Sequence, residues 1–501
     1  MDAELRAFMM SFNKLADLAE EFGQKPNGAQ LAPVLEKHLK VSPSSLPLIT
    51  EAFGSHRLAD ANIVLDRIAG SDPSAKIVGI AGQQRYHADL ADLLMPENHM
   101  GIVGEPSYAS LAVGPDQQRR FLTLGIHLFH YHSSPLAVLI RKANPEYGKP
   151  EAALEILSPD EQVTDAFLKE FRNGLRTSSI FKGQVISFKG NEYQESNAGV
   201  AFHRREPFPR EQLVLPDGLR ERIEEQVLGV GTHRDVLTAL GAHLKRGVLL
   251  YGPPGTGKTH TVRYLASAAE DHTVILLNGD SLAYISQAAA MARALQPSIV
   301  VLEDCDLIAE DRSFSHGPQP LLFEVLDTMD GLEPDADVTF LLTTNRVDSL
   351  ERALVQRPGR IDLAVEIPRP DLEGRIALLE LYAAKLKPSS DTVQQLAHLV
   401  DGTTASFIRE LVRRSILNAA VANQAPGDAH LLEAAAELMS DAATLTRNFL
   451  GGTNDPDLDE PEEFSEDASF GWFPGVAGSY EAPSGFEQDP EAEQDGGSRG
   501  L

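Results

Sequence analysis

The sequence predicts an α/β protein: a parallel sheet with a small helical lid, preceded by a region that is first helical and then mixed α/β. Three observations predict the sheet. A short apolar run, Gly247-Val248-Leu249-Leu250-Tyr251, feeds straight into a glycine-rich loop, and a helical tract follows from Val262 to Ala269. A second run, Ser298 to Leu302, ends in two carboxylates, Glu303 and Asp304. A third, Thr339 to Thr344, ends in the polar Asn345. Unbroken apolar runs of this length, alternating with helical tracts, read as strands buried on both faces.

The loop is Gly252-Pro253-Pro254-Gly255-Thr256-Gly257-Lys258-Thr259, with His260 directly after it. Set between a strand and a helix, this spacing is that of a phosphate-binding loop, so the expected fold is a P-loop NTPase. Glycines reach backbone conformations closed to other residues, which lets successive N–H groups point at a β-phosphate. The helix N-terminus adds the positive end of its dipole. Lys258 is expected to set a point charge on the β- and γ-phosphates, and Thr259 to offer its hydroxyl to magnesium. The implied ligands are ATP and Mg2+.

Of the paired acids, one carboxylate would hold magnesium through water and the next would orient or activate the attacking water. Asn345 stands where it could contact a γ-phosphate and that water; taken alone, it caps a strand end. Arg357-Pro358-Gly359-Arg360-Ile361-Asp362 sets two arginines on a turn-like segment. The planar guanidinium fork suits a transferring phosphate, and an arginine from a neighbouring copy would complete the site in trans. Standing alone, Arg357 or Arg360 would read as a surface salt bridge.

Residues 1–85 read as helical. Leu5, Phe8, Met9, Phe12, Leu15, Leu18 and Ala19 form a stripe at three- and four-residue steps, and further helical pattern covers Leu31 to His38 and Leu46 to Ile68. Residues 86–210 read as a mixed α/β domain, with strands at Leu136–Ile140, Gln184–Phe188 and Gly199–Phe202 and a helix from Asp160 to Leu175. His127, His130 and His132 have a spacing that suggests metal. No Cys or carboxylate cluster joins them, however, and they read as facing different sides of one element.

A Pro-rich boundary at Phe208–Arg210 and Leu215–Gly218 opens the large nucleotide-binding subdomain, 215–385, and a helical lid is expected over 386–450. From 451 to 501, 14 Asp or Glu stand against Arg499, so this segment reads as a disordered acidic tail. Its aromatics, among them Phe470, Trp472 and Phe473, admit docking on a partner as well as a plain entropic tail.

The chain of 501 residues is long enough for two or three domains, and its formal charge of −29 argues against sequence-independent nucleic-acid binding. Cys305 stands alone, so no internal disulfide forms, which fits a reducing compartment. Met1 to Arg6 lacks the basic start of a signal peptide, and the apolar stretch Phe121–Ile140 is broken by histidines and Pro135, so no membrane segment is expected. The expected compartment is the cytoplasm.

Together these residues resemble the AAA ATPases, the branch of the AAA+ superfamily with a second region of homology. The resemblance covers about 215 to 450, near half of the chain. Gly252 to Thr259 resembles the Walker A loop, and Ile299 to Asp304 resembles Walker B. Asn345 matches sensor 1, Arg357 and Arg360 match the paired arginine fingers, and Asp401 to Ser406 resembles the start of the sensor-2 helix. Val227-Leu228-Gly229 sits where the family's adenine-contacting segment lies, which implicates Leu228 and Gly229. The resemblance implies a ring of copies, usually a hexamer, with ATP between subunits. The N-terminal region has no assigned family.

Two departures stand out. Walker B usually runs Asp then Glu, and here the order is Glu303 then Asp304, as in the mitochondrial complex-III assembly ATPases that the motif resembles. By position Glu303, with Thr259, takes the magnesium role and Asp304 the water-activating one. The stretch from Gly279 to Pro297 is also shorter than in protein-threading motors of the family, which place an aromatic–aliphatic–Gly pore loop there. Tyr284-Ile285-Ser286 is the candidate, and Tyr284 reads equally as a core residue.

The first function expected is an ATP-hydrolysing ring that remodels or unfolds protein clients selected by the first 210 residues. A nucleotide-gated switch or scaffold with little turnover is the second, kept open by the reversed acids and the aromatic-acidic tail. A nucleic-acid remodeller would need a basic channel that the sequence does not advertise.

Overall fold

Two sheets organise the chain, and they are built by opposite rules. The computed structural model describes Lys14 and residues 29–82, 85–86, 89–95, 101–191, 194–305, 331, 335–346 and 360–440, the side chains of 189–198 and 280 aside. The stripe from Leu5 to Ala19, Arg357 and the acidic tail lie outside the described residues.

The first sheet is antiparallel. Its strands are β1 (Ile49–Phe53), β2 (Lys76–Ala81), β3 (Ile102–Gly104), β4 (Ser107–Gly114), β5 (Gln117–Tyr131), β6 (Ser134–Arg141) and β7 (Ala152–Leu157). They run in the order β1-β7-β6-β5-β2-β3, with β4 also paired to β5. His132 and Ser133, at φ 48° and 70°, turn β5 into β6; a two-residue hairpin needs this left-handed pair to match the twist of its strands.

Helices cover both faces of this sheet. Leu58–Ala69 and Glu161–Thr177 bury Leu65, Phe167 and Phe171 against Phe129, Val138 and Leu154. Leu31–Leu39 and the short Leu90–Leu94 bury Leu35, Leu39 and Leu90 against Ile126, Leu139 and Leu157 on the other face. β6 is therefore buried from Leu136 to Ile140, which is why it reads as an unbroken apolar run. β1 and β2 fall within the stretch that reads as helical. In β1, Ile49, Ala52 and Phe53 stand at three- and four-residue steps, so this short strand beside β7 mimics a helical stripe.

The second sheet contains β8 (Val185–Asn191), β9 (Gln194–His203), β10 (Arg246–Tyr251), β11 (Thr273–Leu277), β12 (Ser298–Leu302), β13 (Val338–Thr344) and β14 (Leu363–Glu366). Its order is β14-β10-β13-β12-β11-β8-β9, and every pair is parallel except the β8–β9 hairpin. The sequence pattern groups that hairpin with residues 86–210. In the structure β8 lies along β11, Val185 opposite Val274, and covers an edge that would otherwise present unpaired backbone groups. The Arg205 guanidinium fixes the hairpin from behind, donating to the carbonyls of Ala266, Gly183 and His272.

The junction between the sheets is polar and closed. Asp60, at the start of the helix Leu58–Ala69, is fully buried and accepts from Ser179 Oγ at 2.6 Å, Ile180 N at 2.8 Å and Arg57 Nη2 at 3.1 Å. The His56 ring beside it meets Phe181 and Phe188 at 6.4 and 6.2 Å between centroids.

Among the described residues the lid is a bundle of four helices, Leu372–Tyr382, Ser390–Leu399, Ala405–Val421 and Asp428–Met439, around Leu379, Leu396, Phe407, Leu411 and Leu431. Its first helix begins ahead of residue 386. Three of the four carry side-chain caps: Asp371 accepts from Gly374 N, Ser389 from Thr392 N and Thr404 from Phe407 N. No helix among the described residues is long and apolar enough to cross a membrane.

Candidate active site

The C-terminal ends of β10, β12 and β13 lie side by side, Tyr251 opposite Thr344 and Leu302 opposite Leu342, and this edge of an open α/β sheet is where ligands bind. The glycine-rich loop leaves β10 here and enters the helix Lys258–Ala268. Gly252 has φ 137°, and a Cβ there would stand 2.4 Å from the Ile367 carbonyl oxygen. Gly255, at φ 79°, lies beneath the lid: a Cβ would meet Ser406 Oγ at 2.9 Å, and Ser406 N donates to the Gly255 carbonyl at 3.1 Å. Neither position has room for a side chain. The loop is thus clamped between the sheet and the N-terminus of the lid helix Ala405–Val421.

Lys258 is buried, and its Nζ donates to the carbonyls of Gly252 at 2.6 Å and Pro253 at 2.8 Å. Thr256 Oγ1 closes the turn onto the Pro253 carbonyl. The Thr259 hydroxyl hydrogen-bonds the Glu303 carboxylate, whose Oε1 is buried with no hydrogen-bond partner among the described residues. Burial, and then the neighbouring Asp304 charge, push the Glu303 carboxyl above its ordinary value, against the pull of Thr259 and Arg263.

Asp304 has a left-handed backbone, φ 55°, and its N–H donates to Thr343 Oγ1 at 3.1 Å. Asp and Asn are the side chains, after glycine, that enter this region most readily. The reversed order therefore has a local cause: the second acid occupies a backbone position that suits Asp better than Glu.

These residues surround a cavity of about 390 Å³. Pro254 to His260, Asp304, Thr343 and Asn345 line it from the large subdomain; Leu378, Tyr382, Ser406 and Arg409 line it from the lid. The structure thus brings together the loop, one carboxylate in the wall with the other behind it, and Asn345. Arg360 is half-buried ahead of β14 and is not among the lining residues.

Leu228 and Gly229 do not line the cavity either; Gln212, Leu213 and Val214 take that wall. The physical reason lies at Arg246, which is buried. It pairs with Asp337 at 2.8 Å and draws the carbonyls of Gln226 and Val227 toward itself, while Leu228 packs beneath the sheet. The apolar run Leu213-Val214-Leu215 was the available signal for that wall. Arg263 was legible as well, one helical turn past Thr259. Tyr382 and Arg409 were not, because their place depends on how the lid folds over the loop.

Tyr284 is a core residue. It is 8% exposed and stacks on Phe188 of β8 at 5.9 Å, so the hairpin covers it.

Residues 248–369 match the family described as ATPases associated with various cellular activities (AAA). A proteasome-activating nucleotidase of Methanospirillum hungatei is 38% identical over 209 residues, which make up 38% of this chain and 49% of that protein. The 26S protease regulatory subunit 6A of Caenorhabditis elegans is 32% identical over 210 residues, with the same two shares. A Cell division cycle protein 48 homolog of Archaeoglobus fulgidus is 33% identical over 198 residues, 37% of this chain and 27% of that protein. The chain spans about half the length of the first two relatives and about a quarter of the third. With its phosphate loop, reversed acid pair and lid around one cavity, the chain carries an AAA ATPase domain of the AAA+ superfamily.

Proposed function

We propose that this chain binds ATP with magnesium beneath its lid and hydrolyses it, working in the cytoplasm as a ring of six copies that remodels or unfolds protein clients chosen by the N-terminal region. One observation carries the reading: the phosphate loop, Asp304 and Asn345 converge on a single cavity of a size that suits a nucleotide.

Thr259 and Glu303 suit a magnesium ion, being hard oxygens side by side with one carboxylate oxygen left without a partner. Once bound, the ion would offset the charge of the phosphates. The chain's own groups do the rest. The Lys258 ammonium exchanges its two loop carbonyls for phosphate oxygens. Asp304 accepts the proton of the attacking water, and Asn345 orients that water against the γ-phosphate. Arg357 and Arg360 act on a neighbour's nucleotide, a role that accords with Arg360 standing outside the wall of its own cavity.

The test is ATP turnover at concentrations that allow assembly, compared with Lys258→Ala. Equal rates would end the proposal. A second reading, a nucleotide-gated assembly switch with little turnover, draws on the burial of Tyr284, which leaves the position of the threading loop without an exposed aromatic. It predicts nucleotide-dependent assembly that Asp304→Asn leaves unchanged, alongside negligible turnover in both proteins.

A further inference from the structure

The paired acids are fastened to their neighbours through the backbone. Glu303 N donates to the Leu277 carbonyl at 3.0 Å and Asp304 N to Thr343 Oγ1 at 3.1 Å, so the end of β12 is tied to β11 on one side and to β13 on the other. Directly after β11 the chain makes the tight helical turn Gly279–Tyr284. That turn is stiff. Ser281 Oγ accepts from Asn278 N and donates to the Asn278 carbonyl, both at 2.7 Å. Leu282 and Tyr284 are buried in one core cluster with Leu277 and Leu302. A packed interior compresses little and transmits displacement, so a shift of the β12 end carries the turn with it.

The turn ends on a ring that meets other rings. Tyr284 stacks on Phe188 of β8 at 5.9 Å, with 24° between the ring planes. Phe188 meets His56 edge-on at 6.2 Å. His56 stands on the N-terminal side of the junction, directly before Arg57, whose guanidinium holds the buried Asp60. Its ring folds back over Gly54, where a Cβ would stand 2.6 Å from His56 Cε1. Stacked and edge-on contacts are the arrangements that aromatic quadrupoles favour. A continuous series of contacts thus runs from the backbone of Glu303 to the start of the helix Leu58–Ala69.

We propose that Tyr284, Phe188 and His56 form a relay that reports the state of the nucleotide to the N-terminal sheet. It rests on the reading that the cavity takes ATP, and its two states are those with and without a γ-phosphate against Asp304 and Asn345. Loss of that phosphate frees the end of β12. The bond from Glu303 N to Leu277 takes the change into the turn, and the rings pass it across the junction. All three are positioning residues, and none of them lines the cavity. The aromatic at the threading-loop position thereby has a task that needs no contact with a client. Linkage makes the coupling reciprocal: whatever loads the N-terminal sheet biases the site between ATP and ADP.

Hydrogen–deuterium exchange of the full chain tests the relay, with the protein saturated in turn by magnesium-bound ADP and by a non-hydrolysable ATP analogue. Amides of the helix Leu58–Ala69 should exchange at rates about threefold or more apart in the two states. Tyr284→Phe keeps the ring and should keep the difference. Tyr284→Leu and His56→Ala should erase it while both nucleotides still bind, as read by calorimetric titration. Should Tyr284→Leu fail to fold, His56→Ala decides alone, since its change lies outside the ATPase half. Equal exchange in the wild type overturns the relay and leaves the ATPase reading standing. So does a difference kept by His56→Ala or by a folded Tyr284→Leu, or one lost from Tyr284→Phe. A wild type that binds neither nucleotide removes both.

Discussion

The antiparallel sheet and the largely parallel sheet of this chain differ in burial and in what their edges carry: β4 alternates half-buried and exposed residues, whereas β12 and β13 are buried throughout. The first sheet is covered by helices on both faces, and among the described residues it gathers no group of three or more His, Cys, Asp or Glu that could hold a metal ion. The second opens its C-terminal edge to a cavity, and the loop, acids and asparagine are gathered there. The difference teaches that burial and function make separate demands on sequence. In β10, β12 and β13 the two coincide, because an apolar strand must end in a polar residue at one edge. In β5 and β6 only burial is at stake.

The largest test of that contrast is chemical. Asp304→Asn should lower ATP turnover about 10²- to 10⁴-fold with nucleotide binding retained, as measured by steady-state hydrolysis beside ligand titration. A loss of binding and turnover together would show that the second sheet's edge is structural in the same way as the first sheet.

Next comes the buried ion pair that supports the second sheet. Asp337→Ala strands Arg246 in the core and should cost about 3–5 kcal/mol, read by denaturant unfolding of the ATPase half. A neutral result would mean that the carbonyls of Gln226, Val227 and Leu244 satisfy the guanidinium unaided.

The junction and the first sheet should respond to acid. Burial, with Arg57 adding to it at His56, holds His56 at about 4, and burial holds His127 at about 4. The unfolded chain therefore takes up protons first as pH falls. The stability from each ring is full above about pH 6.5 and is lost as pH drops toward 4, a difference of up to about 3 kcal/mol per ring. Melting curves across that window should show the loss, and His56→Phe should remove the part that belongs to the junction.

The smallest effect is local. Asp160 caps the helix Glu161–Thr177 by accepting from Gln162 N at 3.0 Å and Val163 N at 3.3 Å, so Asp160→Ala should cost about 1 kcal/mol and leave turnover unchanged.

Much of this was legible in the sequence, for reasons that particular residues make plain. Gly252 to Thr259 must adopt one backbone shape, so the loop announces itself, and the acids of β12 sit at a strand end because the chemistry requires it. The helices Leu31–Leu39 and Glu161–Thr177 and the strand β6 fall where the periodicity puts them. What the pattern could not show was partnership. Ile49, Ala52 and Phe53 have helical spacing and form a strand, because pairing with β7 outweighs the pattern of a five-residue segment. Val185 to Phe188 reads correctly as a strand, yet only the fold places it against β11. Leu213 and Val214 replace Leu228 and Gly229 in the cavity wall because Arg246 grips the backbone of the latter segment, a contact between positions far apart in the chain.

The β8–β9 hairpin bears on how the protein can be taken apart. A fragment beginning at the proline-rich boundary near Phe208 would keep every residue of the phosphate loop and the lid, yet it would bare β11 along its whole length as a sticky flank open to intermolecular pairing. It would also leave Tyr284 without the ring that shields it. The smallest fragment that keeps the second sheet whole therefore starts before Ser179. Because Asp60 anchors that very point, any pull on the N-terminal region reaches β11 through hydrogen bonds and stacked rings rather than through slack chain.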